Sequence, residues 1–277
     1  MRTMPWHGKN VYITGGSSGI GLAAAMRFSS LGAHVVIFAR NEERLQVALA
    51  EIERSRITDN QQFTSISLDV SDSAGVSEKM VRAVKEFGTP HVLVNSAGIS
   101  YPNYFEEISC EKFRETLSIN LCGTWNTCAC LVPFMKTTRG NIVNISSIAG
   151  FIGVFGYTAY SASKFAVMGF SESLRDEMKP HGITVSVLCP PDTDTPQLIK
   201  ENRTKPLETM AVAGNAGLIS PDAVAKAMIR GMEKGKFIII PGRQGKFIHL
   251  ANRLFPGIAH AIMDIQIKKV HDSRGRV

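Results

Sequence analysis

The 277-residue sequence lacks any run of about 18 apolar residues, which argues against a membrane-spanning helix. Its opening stretch, MRTMPWHGKN, holds no apolar core segment and does not read as a signal peptide. Internal repeats and low-complexity tracts are missing too. Cysteine is scarce: Cys110, Cys122, Cys128, Cys130 and Cys189 are odd in number, and the pair two residues apart is too close to bridge without strain. They show no metal-type spacing, so no metal site is expected, and a reduced, cytoplasmic protein with small buried thiols is. The sequons NIS (144–146) and NRT (202–204) are then unused. Hydrophobic residues make up 44% and charged residues 20%, an ordinary globular balance. A chain of this length buries a sizeable core without staples.

Short apolar runs alternate with helix-length amphipathic stretches. The strand-like runs are 10–14, 34–38, 63–70, 91–95, 140–146, 183–189 and 237–240. Helical patterns cover 20–31, 42–56, 75–87, 109–136, 157–178 and 221–234. Nearly continuous apolar character marks strands buried on both faces. Alternation predicts parallel pairing through right-handed crossovers. The predicted fold is α/β: a Rossmann-type doubly wound parallel sheet of about seven strands in one domain, with a helical C-terminal extension.

The first strand runs into TGGSSGIG (14–21). Gly15, Gly19 and Gly21 depart from the G-x-G-x-x-G spacing, but the context of strand, glycine turn and helix is the one that holds a pyrophosphate. Gly15, Ser17, Ser18, Gly19, Ile20 and Gly21 are therefore candidate cofactor contacts. The second strand ends Phe38-Ala39-Arg40, without the carboxylate that binds a ribose 2′-hydroxyl. Arg40 suits a 2′-phosphate instead, which selects NADPH over NADH.

YSASK (160–164) places Tyr160 and Lys164 one helical turn apart on one face. An ammonium beside a phenol favours the phenolate, so Lys164 is expected to lower the Tyr160 pKa toward a working range for proton transfer. Ser147, thirteen residues before Tyr160, follows a strand and is placed to donate to the same carbonyl oxygen; its neighbour Ser146 is the alternative.

Together TGGSSGIG, NSAG (95–98), SIN ending at Asn120, the serine pair 146–147 and YSASK resemble the short-chain dehydrogenase/reductase family over residues 8–240. The resemblance implies a tetrad of Asn120, Ser147, Tyr160 and Lys164. In it Asn120 supports a water that links Lys164 to solvent, and Lys164 also binds the nicotinamide ribose. It implies that Asp69 and Val70 border the adenine and that Asn95, Ala97 and Gly98 line the cofactor further along. Homodimers or homotetramers built on 109–136 and 157–178 are implied as well. The sequence departs from the family at NSAG, where a second Asn is common, and at PPDTDTP, where Pro-Gly is common.

That second departure opens the stretch PDTDTPQLIKENRTKPLETM (191–210), which shows no periodicity and reads as a long loop. Such loops are lids or binding loops, and a lid over residues 190–218 is expected. Pro190, Thr193 and Thr195 are candidate cofactor contacts there. This string, with ARNEERL and FGYTAYSASKFA, resembles the 3-ketodihydrosphingosine reductase branch of the family. The branch implies reduction of a long-chain 3-keto amine by NADPH. A carbonyl or hydroxysteroid reductase of another lipid-like ketone, and a non-catalytic NADPH sensor or scaffold, are the other readings.

The expected division is a reductase domain over 1–242 and a basic extension over 243–277. From Arg243 onward seven Lys and Arg stand against two Asp, giving +5 of the formal net charge of +7. Phe247, Ala251, Leu254, Ile258, Ala261, Ile262 and Ile265 form a stripe at three- and four-residue steps, with Pro256-Gly257 expected to split it into two short helices. Flanked by Lys246, Arg253, Lys268 and Lys269, the segment 243–269 fits a peripheral membrane surface, at the cytosolic face of the endoplasmic reticulum in a eukaryotic cell. Packing on its own domain or on a second subunit is the plainer alternative. No recognised nucleic-acid-binding fold accompanies the basic residues.

Overall fold

The computed structural model describes residues 5–213 and 217–274. The outermost residues of both expected segments, and 214–216 of the expected lid, lie outside them. Seven parallel strands form one sheet in the order β3-β2-β1-β4-β5-β6-β7. They are β1 (Asn10–Thr14), β2 (His34–Ala39), β3 (Phe63–Ser67), β4 (Val92–Asn95), β5 (Asn141–Ile145), β6 (Thr184–Leu188) and β7 (Ile238–Ile239). Alternate strand residues feed opposite layers, as a pleat requires. Val11, Ile13, Val35 and Ile37 pack with Phe28 of α1 (Gly19–Ser29), Leu45 of α2 (Glu42–Glu53) and Met228 of α9 (Pro221–Glu233). Tyr12, Val36, Phe38 and Leu93 pack with Met80 of α3 (Ser73–Phe87), Leu131 of α5 (Gly123–Thr138) and Met178 of α6 (Thr158–Met178).

Several expectations are corrected. β3 stops at Ser67, so Leu68, Asp69 and Val70 form a loop, in which Asp69 Oδ1 accepts from the Ser71 N–H at 2.9 Å. The long helical region divides into α4 (Cys110–Leu117), a π-turn (Ser118–Cys122) and α5. The 191–210 stretch is not a structureless loop: it folds into α7 (Pro196–Glu201) and α8 (Leu207–Ala213). Thr195 caps α7 by accepting from Leu198 N, and Pro196 sits at the first helical position, where its missing N–H is harmless. Some of its polar residues turn inward: Glu201, Lys205, Glu208 and Thr209 are all buried, while Lys200, Asn202, Arg203 and Thr204 stay exposed.

The C-terminal extension forms α10 (Arg243–Leu254) and α11 (Pro256–Arg274). The break falls at Phe255, because the residue before a proline is driven out of the helical region. With nineteen residues α11 is longer than the short helix expected. α11 packs against α8, and Asn252 Nδ2 donates to the Phe151 carbonyl at 2.8 Å. Among the described residues no helix is long and apolar enough to cross a membrane.

One buried polar network ties the two central strands to both flanking helices. Asn95 Nδ2 donates to Asn144 Oδ1 at 2.8 Å, and Thr127 Oγ1 donates to Asn95 Oδ1 at 2.6 Å. Asn144 Nδ2 donates to Ser171 Oγ at 2.9 Å. Removing one member strands the others without water. Asn144→Ala is expected to destabilise the protein by about 1–3 kcal/mol, read as a lower urea midpoint. A midpoint equal to wild type would show the network to be dispensable.

Candidate active site

A cavity of about 980 Å³ opens at the carboxyl ends of the strands, where doubly wound sheets place their ligands. One end is the glycine turn. Gly15 has φ +66°, and a Cβ there would lie 2.8 Å from the backbone of Ser96 and Ala97. Thr14 Oγ1 fixes that facing segment by accepting from Ser96 N at 3.1 Å and Ala97 N at 3.2 Å. No acidic residue stands in the first turn of α1, and the Ser18 side chain makes no capping bond. Backbone N–H groups at the positive end of the helix are thus left for an anion. The cradle that a Cβ would fill, the uncapped helix end and the arginines beyond it fit a dinucleotide.

Gly15, Ser17, Ser18, Gly19, Ile20, Arg40, Asp69, Val70, Ala97, Gly98, Pro190, Thr193 and Thr195 all line the cavity. Two expected cofactor contacts do not. Gly21 lies beneath the turn, where a Cβ would meet the Gly15 carbonyl oxygen at 2.3 Å, so its glycine serves the close packing of helix on strand. Asn95 points into the buried network, its amide consumed by Asn144, Thr127 and Cys128. Arg40 Nη1 lies 3.8 Å from Asp69 Oδ2, with both side chains well exposed. Arg44 joins them on the cavity wall.

Ser147, Tyr160 and Lys164 converge on the floor. Ser146 also borders the cavity, but it is buried and its hydroxyl is spent on the Lys164 carbonyl at 2.9 Å, which leaves Ser147 as the better donor to a ligand. Lys164 is 5% exposed, and its Nζ donates to the Ile145 carbonyl at 2.8 Å. Burial lowers its pKa to about 8, since a desolvated ammonium sheds its proton more readily. Nζ lies 5.5 Å from the Tyr160 ring centroid. The expected lowering of Tyr160 does not occur. Burial raises its phenol first, the Glu201 carboxylate raises it further, and a hydrogen bond from Ser147 pulls it partly back. Asn120 stands behind the wall in the π-turn. Its Oδ1 accepts from Ile99 N at 2.8 Å, and its Nδ2 donates to Ile99 O and Ser163 Oγ, each at 2.9 Å.

Three groups on the wall went unread in the sequence. Tyr157 Oη donates to Glu201 Oε2 at 2.6 Å, and Lys205 Nζ lies 3.2 Å from Asp192 Oδ2. Arg44 was hidden in a helix-start pattern whose polar residues looked like a solvated face. At the far end, Phe247, Ile258, Ile262 and Met263 of the C-terminal helices form an apolar mouth.

Residues 9–206 match the family model described as short chain dehydrogenase. The 3-ketodihydrosphingosine reductase of Bos taurus is 41% identical over 240 residues, covering 86% of this chain and 72% of that protein. The 3-dehydrosphinganine reductase of Danio rerio is 41% identical over 241 residues, with 86% and 73% covered. The solved structure of a short chain dehydrogenase from Mycobacterium paratuberculosis bound to NAD aligns with a TM-score of 0.77 at 24% identity, covering 87% of this chain and 98% of that one. At that identity the likeness is one of fold.

The Lys164 shift has a definite sign. Between pH about 8 and its ordinary value of 10.5 the unfolded chain holds a proton that the folded chain has released. Stability therefore rises with pH across that window, and the penalty is complete below it. Lys164→Met is expected to flatten the pH dependence of Tm over this range in scanning calorimetry. An unchanged slope would contradict the burial assigned to this ammonium.

Proposed function

The chain belongs to the short-chain dehydrogenase family and is an oxidoreductase using a nicotinamide dinucleotide, and on that premise we propose that it reduces 3-ketodihydrosphingosine to dihydrosphingosine with NADPH. One observation carries this reading. The cavity joins a polar floor of Ser147, Tyr160 and Lys164 to an apolar mouth on α10 and α11, as a ketone at the head of a long alkyl chain requires. The names of the relatives above point to the same reaction.

When bound, the dinucleotide would supply hydride to the ketone carbon. Ser147 Oγ donates a hydrogen bond to the carbonyl oxygen, which strengthens as charge develops there. Tyr160 then gives that oxygen its proton. Its raised pKa keeps the phenol protonated at neutral pH, and a developing alkoxide is basic enough to take the proton. Lys164 is the reservoir that restores it and the donor to the cofactor ribose, and Asn120 holds the π-turn behind it. Gly15, Ser17, Ser18, Gly19 and Ile20 would cradle the pyrophosphate. Asp69 and Val70 would border the adenine, Ala97 and Gly98 would line the path to the nicotinamide, and Pro190, Thr193 and Thr195 would close over it. Arg40 and Arg44 would hold the 2′-phosphate, where a planar fork pairs well.

Residues 1–242 form the catalytic unit, with 190–218 as its lid. The extension from residue 243 docks on that unit while leaving Phe247, Leu250, Leu254, Ile258 and Ile262 exposed. With Lys246, Arg253, Lys268 and Lys269 beside them, these residues seat the cavity mouth on the cytoplasmic surface of a membrane. Phe113, Trp125 and Phe165 are exposed on α4, α5 and α6, the faces on which a homodimer or homotetramer would form.

Tyr160→Phe is expected to bind NADPH normally and to lose roughly 10²–10⁴-fold in turnover, followed at 340 nm with the keto lipid in detergent. Retained turnover would remove Tyr160 as the acid. Arg40→Ala is expected to raise the KM for NADPH by about tenfold or more and to spare that for NADH. An equal effect on both would take the 2′-phosphate away from Arg40. Turnover of other ketones alone would transfer the reading to a carbonyl or hydroxysteroid reductase. Tight NADPH binding without any turnover would favour a sensor.

A further inference from the structure

We propose that Asp192 and Glu201 select the substrate through its amine, holding the ammonium that stands beside the reacting ketone. The inference rests on the keto-amine reading above and deepens it, for nothing in hydride transfer to a ketone requires a carboxylate in the wall.

Glu201, the last residue of α7, is 7% exposed yet faces the cavity. Both its oxygens are held: Oε2 accepts from Tyr157 Oη at 2.6 Å, and Oε1 accepts from Gln197 Nε2 at 2.9 Å. Lys205 Nζ lies 3.2 Å from Asp192 Oδ2 and 3.8 Å from Glu201 Oε2, with its side chain 3% exposed. Lys205 is thus one cation shared between two carboxylates, and Asp192 is only partly matched by it. Asp192 is the more open partner, its side chain 38% exposed. It is therefore the hand that reaches a ligand, and Glu201 is the fixed background.

Of the other cations near this wall, Lys164 is held by the Ile145 carbonyl and its charge acts on Glu201, while Lys200 is exposed at the rim; among the described residues neither stands in an ion pair with Asp192. The Cys189 thiol stays protonated because burial pushes it up to about 12. Tyr157 and Tyr160 are likewise neutral, being raised by burial. The carboxylates also lie within range of the chemistry, since Glu201 and Asp192 both raise Tyr160. An amine on the carbon next to the carbonyl must lie in that same neighbourhood. A cavity-facing carboxylate that only shares a counter-charge favours a ligand that brings one, and so discriminates more strongly than an apolar wall does.

The test compares a long-chain 2-amino-3-ketone with the same ketone bearing hydrogen in place of the amine, at neutral pH with saturating NADPH. Wild type is expected to prefer the amine, and Asp192→Asn to reduce that preference in kcat/KM by about tenfold or more, chiefly through KM. Glu201→Gln is expected to act in the same direction. If it fails to fold for want of a partner to Lys205, the half-exposed Asp192 position carries the test alone. Folded variants that keep the wild-type preference would overturn the inference and leave the proposed function standing. A wild-type enzyme that reduces neither ketone would overturn both.

Discussion

The site is organised around one ammonium group kept nearly dry. Desolvation disfavours its charge, and the Ile145 carbonyl offsets part of that penalty by accepting its proton at 2.8 Å. The surroundings are shaped to make this contact. Ser146 Oγ bonds the Lys164 carbonyl and so fastens α6 to the end of β5. A Cβ at position 150 would meet Ser146 Oγ at 2.1 Å and the Lys164 carbonyl oxygen at 2.9 Å, which leaves room only for glycine. Displacing this one contact would move Tyr160, a turn earlier on the same helix, away from the cavity floor.

Four environments meet in the cavity, each suited to a different part of the reactants. The glycine turn and Arg40 offer backbone donors and positive charge, and the floor offers hydroxyls beside a buried amine. The segment from Asp192 to Lys205 contributes two carboxylates that bracket one lysine. The outer helices then continue the cavity as an apolar channel. The presence of these regions in one cavity is the physical case for the proposed lipid keto amine. The segment carrying α7 reaches the first of these regions: Gly19 would meet Thr195 at 3.1 Å if it carried a Cβ, so α7 begins directly above the glycine turn.

Much of this was legible in the sequence, for identifiable reasons. Strands buried on both faces read as unbroken apolar runs, and all seven appear in the sheet within a few residues of their expected ends. The convergence of Ser147, Tyr160 and Lys164 followed from helical spacing and from a strand end. What stayed hidden depends on partners distant in the chain. Polar Glu201, Lys205 and Glu208 looked like a solvated loop, yet Glu201 is satisfied by Tyr157 and Glu208 by Tyr104, 104 residues away. Asn95 sits in a motif that resembles a cofactor contact, but its side-chain direction is set by Asn144 on the neighbouring strand. The Tyr160 pKa is raised, against the expectation from its lysine neighbour, because burial and the Glu201 carboxylate, which spacing does not encode, both push it up.

The most direct test of the account follows the hydride itself. Purified protein would be given the long-chain 2-amino-3-ketone with NADPH deuterated at the transferring position of the nicotinamide, and the lipid product analysed by mass spectrometry. The account predicts a 2-amino-3-alcohol carrying a single deuterium at the former carbonyl carbon. An unlabelled product, or an untouched ketone in the presence of bound NADPH, would contradict it.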